Sequence, residues 1–128
     1  MHLVTIVITL ALLEYIAFAM LVGGARGKYG VKAPAVTGHE MFERYYRVQM
    51  NTLELLVVFV PAIWLFADYV DPRWAAGLGT IYLVGRVVYF RSYVKDPASR
   101  GAGFGLSMLP VLAMVIGALF AAGRQLLS

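Results

Sequence analysis

Four stretches dominated by apolar residues alternate with short polar segments along the chain. Each is close to the roughly 20 residues that a helix needs to cross bilayer hydrocarbon. The first spans residues 3–22 and carries one ionisable residue, Glu14. It lacks a basic leader and is too long for a signal-peptide core, so it is expected to be retained. A loop from Gly23 to Pro34 follows, rich in turn formers, with Arg26, Lys28 and Lys32 but no acid. The second stretch, 40–67, opens on the polar run from His39 to Arg47 and becomes apolar from Leu55 to Ala67. Asp68 to Arg73 form a tight connection between Trp64 and Trp74, where an interfacial aromatic belt would sit. The third stretch is 74–93, a loop runs from Val94 to Gly101, and the fourth stretch, 103–122, is free of charge. Pro110 inside the last stretch is expected to kink it. The pattern predicts an all-α integral membrane four-helix bundle, a single transmembrane domain over residues 1–128.

Composition strengthens that reading. Hydrophobic residues make up 61% of the 128 positions and charged residues only 14%, against roughly 45–50% apolar usage in soluble domains. The net charge of +4 comes from Lys and Arg scattered between spans, without a basic run, so no nucleic-acid partner is expected. Loops one and three hold Arg26, Lys28, Lys32, Lys95 and Arg100, whereas loop two holds Arg73 among two aspartates. That bias predicts loops one and three on the cytoplasmic side. Small residues at four-residue spacing, Gly101 with Gly105 and Ala113, Gly117 with Ala121, allow close helix approach within a bundle or between subunits.

The chain has no cysteine, which excludes disulfides, Cys-ligated zinc and a cysteine nucleophile. Any thiol chemistry must use a thiol brought by the substrate. His2 and His39 are far apart and lack acidic partners at ligand spacing, so no metal site is expected. No dinucleotide-binding, phosphate-loop or nucleophile-elbow motif is found.

What remains is polar matter inside apolar spans. Arg44, Arg47, Asn51 and Glu54 follow at spacings of three, four and three, which puts them on one helical face. Tyr82, Arg86, Tyr89 and Tyr93 do the same on the third span. Counted outward from the 68–73 turn, Glu54 and Arg86 lie about 20 Å away, Asn51 and Tyr89 roughly 25 Å, and Arg47 and Tyr93 roughly 30 Å. Glu54 and Arg86 are therefore expected to face each other as a pair turned away from lipid, since an uncompensated charge at mid-membrane costs about 2.5–3.5 kcal/mol. A structural clamp needs one or two partners. Arg47, Asn51, Glu54, Tyr89 and Tyr93 together exceed that need and suit a zwitterionic ligand rich in hydrogen-bonding groups.

The stretch from Phe42 to Glu54, FERYYRVQMNTLE, resembles the second-helix motif of the MAPEG proteins, the membrane-associated proteins in eicosanoid and glutathione metabolism. The likeness is nearest the leukotriene C synthase and microsomal glutathione transferase 2 branch. Arg86 to Tyr93, RVVYFRSY, resembles that branch's third-helix motif, and Arg100 falls on its arginine after the last loop. The sequence departs from the branch at Leu55, where a tyrosine is usual, and at Gly27, where a second loop arginine occurs.

The resemblance implies a homotrimer with glutathione bound between neighbouring subunits near the cytoplasmic face. It implies that Arg100 is catalytic, stabilising the glutathione thiolate, while Arg26, Arg47, Gln49, Asn51, Glu54, Tyr89 and Tyr93 bind the peptide. The expected activity is a membrane glutathione transferase, with possible peroxidase activity. It takes glutathione as co-substrate and a lipophilic acceptor from the membrane lipid. Two alternatives stand beside it. A non-catalytic lipid-binding or scaffold protein could use the same fold. Small proton-coupled multidrug exporters are also four-span chains with one essential glutamate in the first helix, a role Glu14 would fill. Those exporters lack the two further polar faces.

Overall fold

A computed structural model describes residues 1–128. It consists of α1 (His2–Tyr29), α2 (Glu40–Tyr69), α3 (Pro72–Lys95), a short 3-10 turn (Pro97–Ser99) and α4 (Gly101–Leu127). The helices extend several residues past the apolar spans, because their polar ends lie beyond the hydrocarbon and still satisfy their backbone by helix formation. Three of them, α1, α2 and the α4 region, are apolar and long enough to cross a membrane. α3 has the length, at 24 residues, but carries the polar face of Tyr82, Arg86 and Tyr89, all of which it buries.

Local chemistry fixes each end. α1 stops at Gly30, which takes the left-handed conformation (φ 70°) and donates its N–H to the Arg26 carbonyl. His39 caps α2, its Nδ1 accepting from the Met41 N–H at 3.1 Å, and Glu40 and Glu43 favour the positive end of the helix dipole. Asp71 caps α3 by accepting from the Arg73 N–H at 2.7 Å, with Pro72 in the first turn. Asp96 caps the short turn through the Ala98 N–H at 3.1 Å.

The main core lies toward the α2–α3 connection, where Val4, Phe59, Ile63, Tyr82, Val111 and Met114 pack together. Phe59 and Tyr82 stack with ring centres 3.9 Å apart. Residues such as Leu13, Met20, Val57, Leu109 and Leu119 point outward. An exterior rich in apolar side chains suits lipid, and with Thr52, Arg86 and Ser107 buried inside it makes this an integral membrane helical bundle. Trp64 and Trp74 are both exposed beside the second connection, as an aromatic belt requires.

α3 and α4 approach most closely at two glycines. A Cβ on Gly103 would sit 2.4 Å from the Tyr89 backbone nitrogen, and one on Gly85 would sit 2.7 Å from the Ser107 nitrogen. Within the chain the close contacts fall on Gly103 and Gly85, while Gly101 and Gly105 have open space around them. Gly117 does meet a neighbour, the Phe66 ring. α4 continues as helix through the buried Pro110.

Candidate functional site

Antiparallel connections bring four helix ends together: the end of α1, the start of α2, the end of α3 and the start of α4. At that end a cleft of about 530 Å³ is lined by Arg47 and Asn51 of α2, Tyr89 and Tyr93 of α3, and Arg100 and Phe104 of α4 and its approach. Its size falls in the range of small-molecule sites, roughly 300–1,000 Å³. Five of the eight site residues expected from sequence line it. The depth count placed Asn51 level with Tyr89 and Arg47 level with Tyr93, and each pair shares the cleft wall. The tyrosines stack on each other with ring centres 5.5 Å apart.

Arg100 immediately precedes α4, so its guanidinium and the positive end of a 27-residue helix serve the same mouth. One of its nitrogens, Nη1, donates to the Pro97 carbonyl at 2.9 Å, and its other N–H donors make no bond within the chain. Arg47 is exposed and makes neither hydrogen bond nor ion pair within the chain. Two guanidiniums, Arg47 without a partner and Arg100 held through one nitrogen only, line the cleft with two phenols and an amide and make it anion-accepting.

Arg86 corrects one expectation. Its guanidinium is fully buried, and Glu54 is exposed on the outer face of α2, so the two do not pair. Arg86 Nη1 donates to Asn51 Oδ1 at 2.7 Å and to Thr52 Oγ1 at 3.2 Å, and its Nε donates to Ser107 Oγ at 2.9 Å. Equal depth fixes height along the bundle but not direction around each helix. Arg86 points between α2 and α4, where neutral acceptors receive it. Its plane lies 4.4 Å from the centre of the Tyr89 ring. Its remaining nitrogen Nη2, the Tyr82 hydroxyl and Glu14 Oε1 are buried without hydrogen-bond partners.

The other expected residues lie elsewhere. Arg44 leaves the cleft face to cap α3, donating to the Val94 and Lys95 carbonyls at 3.0 and 3.1 Å and pairing with Glu40 at 2.7 Å. Gln49 sits around the helix from Arg47, with Nε2 donating to the Tyr15 hydroxyl of α1 at 3.4 Å. Arg26 donates from Nη1 to the Ala35 carbonyl at 2.6 Å and covers the Phe42 ring at 4.8 Å. Phe104 escaped the sequence reading. The only signal for it was its spacing of one helical turn from Arg100.

Comparison with known proteins shows which family the chain resembles. A protein of Synechocystis sp. described as uncharacterized is 46% identical over 121 residues, covering 94% of this chain and 88% of the relative. Human microsomal glutathione S-transferase 2 is 41% identical over 103 residues, 80% of this chain and 70% of the relative. Bovine leukotriene C4 synthase is 34% identical over 83 residues, 65% of this chain and 55% of that protein. The MAPEG family pattern matches residues 4–120, nearly the whole bundle with all of the cleft, and the chain therefore belongs to the MAPEG family.

Proposed function

We propose that this chain is a glutathione transferase of the membrane, in which Arg100 stabilises the glutathione thiolate and the remaining cleft residues hold the peptide. The observation that carries the reading is the convergence of Arg47, Asn51, Tyr89, Tyr93 and Arg100 from three helices on one cleft. Family relatives named glutathione transferases support it. A free thiol of pKa about 8.5 is only a few per cent ionised at neutral pH, and an adjacent guanidinium together with a helix N-terminus lowers that value. In conjugation the thiolate sulfur bonds to an electrophilic carbon while the leaving group departs with its electron pair. Phe104 forms the apolar wall of the cleft next to exposed lipid-facing residues, so a lipid-soluble acceptor can reach the sulfur from the bilayer.

A homotrimer completes the site in this reading. Cyclic trimers use two different faces of each chain at every interface. Arg26 and Gln49 lie away from the cleft, on the α1 side, and Glu54 has no ionic partner within its own chain. A neighbouring subunit that brings its α1 side against this cleft would add Arg26 and Gln49 to the peptide's carboxylates and amides. Glu54, then shielded from lipid, would accept from its ammonium. The cation bias of loops one and three supports a cleft end that faces the cytoplasm, where glutathione enters.

The test is the ultraviolet absorbance of bound thiolate at neutral pH, together with turnover of a generic aryl halide and a lipid hydroperoxide. Arg100→Ala, saturated with glutathione, should show weaker thiolate absorbance that recovers as pH rises, and lower turnover. Equal absorbance and turnover in both proteins would leave Arg100 as an anchor at the lipid headgroups. Glutathione binding without any turnover in the wild type would favour the non-catalytic lipid-binding alternative. The exporter alternative loses its ground, because the chain belongs to a different family.

A further inference from the structure

Arg86 does not line the cleft, yet two residues that do, Asn51 and Tyr89, rest on it. A guanidinium can only donate. At Asn51 it must therefore take the amide oxygen, and it does so from Nη1 at 2.7 Å. That contact fixes which way the amide faces. Asn51 Nδ2 is turned away from Arg86, and its two N–H groups make no bond within the chain. Arg86 itself cannot rotate away, because Nε is held by Ser107 Oγ at 2.9 Å and that hydroxyl is anchored to the Gly103 carbonyl at 2.7 Å. The anchoring runs from α4 through Arg86 to the cleft wall on α2.

We propose that Arg86 is a positioning residue that sets the polarity of the cleft: by holding Asn51 Oδ1 against the buried guanidinium it leaves the amide N–H groups to meet the ligand. The ligand group received there is an acceptor, a carbonyl or carboxylate oxygen, and never an ammonium. This rests on the glutathione reading for the identity of the ligand. It divides the peptide's groups between Asn51, which takes an acceptor, and a carboxylate such as Glu54, which takes the ammonium. Without Arg86 the amide would be free to flip and present either end, and that discrimination would be lost.

Asn51 is the sole asparagine of the chain, so selective 15N-asparagine labelling reports a single side-chain amide. Three measurements on the full chain in detergent test the proposal. Glutathione affinity by calorimetry should fall about tenfold or more in Asn51→Asp, which keeps the oxygen facing Arg86 but replaces the donor with an acceptor. Its thermal midpoint should match the wild type. Arg86→Lys should weaken glutathione binding in the native background but add nothing in an Asn51→Ala background, whereas a merely structural role would weaken both equally. In the absence of glutathione, Arg86→Lys should shift the Asn51 side-chain amide resonances and speed their hydrogen exchange. Undiminished affinity in Asn51→Asp, equal losses from Arg86→Lys in both backgrounds, or an amide pair unmoved by Arg86→Lys would each overturn the proposal. If Arg86→Lys does not fold, Asn51→Asp decides alone. A wild type that fails to bind glutathione would overturn the glutathione reading, and the amide resonances would then decide the positioning role.

Discussion

Replacing Gly103 with alanine tests the link between helix packing and the cleft in one step. The new Cβ would lie 2.4 Å from the Tyr89 backbone nitrogen and 2.5 Å from its Cα. Because these are backbone atoms, no side-chain rotation relieves the overlap. Reaching even a tight contact of 3.4 Å needs a separation of 3.4 − 2.4 = 1.0 Å between α3 and α4. The same displacement, one turn further along α4, would stretch the Arg86 to Ser107 hydrogen bond from 2.9 Å beyond bonding distance. Overpacking of this kind costs about 1–3 kcal/mol, and loss of a hydrogen bond to a charged group adds about 1.5–3 kcal/mol. A total of about 2.5–6 kcal/mol corresponds to a fall of roughly 10 °C or more in thermal midpoint. The control is Gly105→Ala, where the added carbon meets nothing within 4 Å. Thermal unfolding of the two variants in the same detergent, followed by circular dichroism, should separate them clearly. Glutathione affinity should fall with stability in Gly103→Ala, because Tyr89 moves. Equal midpoints for Gly103→Ala and Gly105→Ala would refute the claim that α3 and α4 are locked at this glycine.

Cysteines introduced at Lys28 and Lys95 should be protected from an impermeant maleimide added from the periplasmic or lumenal side of intact membranes; labelling there would reverse the orientation. Native mass spectrometry in mild detergent should give three chains per particle, and a monomer or dimer would remove the shared site. Glu54→Gln should raise the glutathione dissociation constant by about one to two orders of magnitude through loss of a charged contact, while Glu14→Gln leaves conjugation largely intact; the reverse pattern would reassign the two acids. Arg44→Ala should speed hydrogen exchange over the last turn of α3 and the 96–100 loop, since it frees two carbonyls there, and unchanged exchange would show that this cap is dispensable.

Spans and depths were legible in the sequence because both follow from one-dimensional quantities, apolar length and rise per residue. The stretches 3–22, 40–67, 74–93 and 103–122 fall within α1 to α4, and the helices overrun them only at their polar ends. The count from the 68–73 turn also placed Asn51 with Tyr89 and Arg47 with Tyr93. What it could not supply was rotation about each helix axis. Glu54 lies three residues beyond Asn51, so its side chain is turned about 60° back around the helix from that of Asn51, and it emerges on the outer face. Arg86 meets neutral partners instead, Asn51 and Thr52 on α2 and Ser107 on α4. Ser107 was a polar residue in an otherwise apolar stretch, a usable signal that a donor had to be satisfied nearby. Phe104 was hidden for the opposite reason, as one apolar residue among many in a span that gave no polar contrast. The close contact at Gly103 was hidden for the same reason, because spacing alone names a face but not the neighbour it meets.

The partners of Arg86 also bear on how the chain is made. An arginine at the centre of an isolated span opposes entry into lipid by about 2.5–3.5 kcal/mol, and α3 is the one long helix that does not reach spanning hydropathy by itself. Asn51 and Thr52 come before it in the chain and can receive Nη1 at once, whereas Ser107 lies on α4 and is synthesised later. In this order of synthesis Nη1 finds its acceptors on α2 first, and Nε waits for Ser107. Ser107 on the later helix supplies the acceptor for Nε, so a ribosome stalled before Ser107 would leave α3 with a further donor unmet beside Nη2.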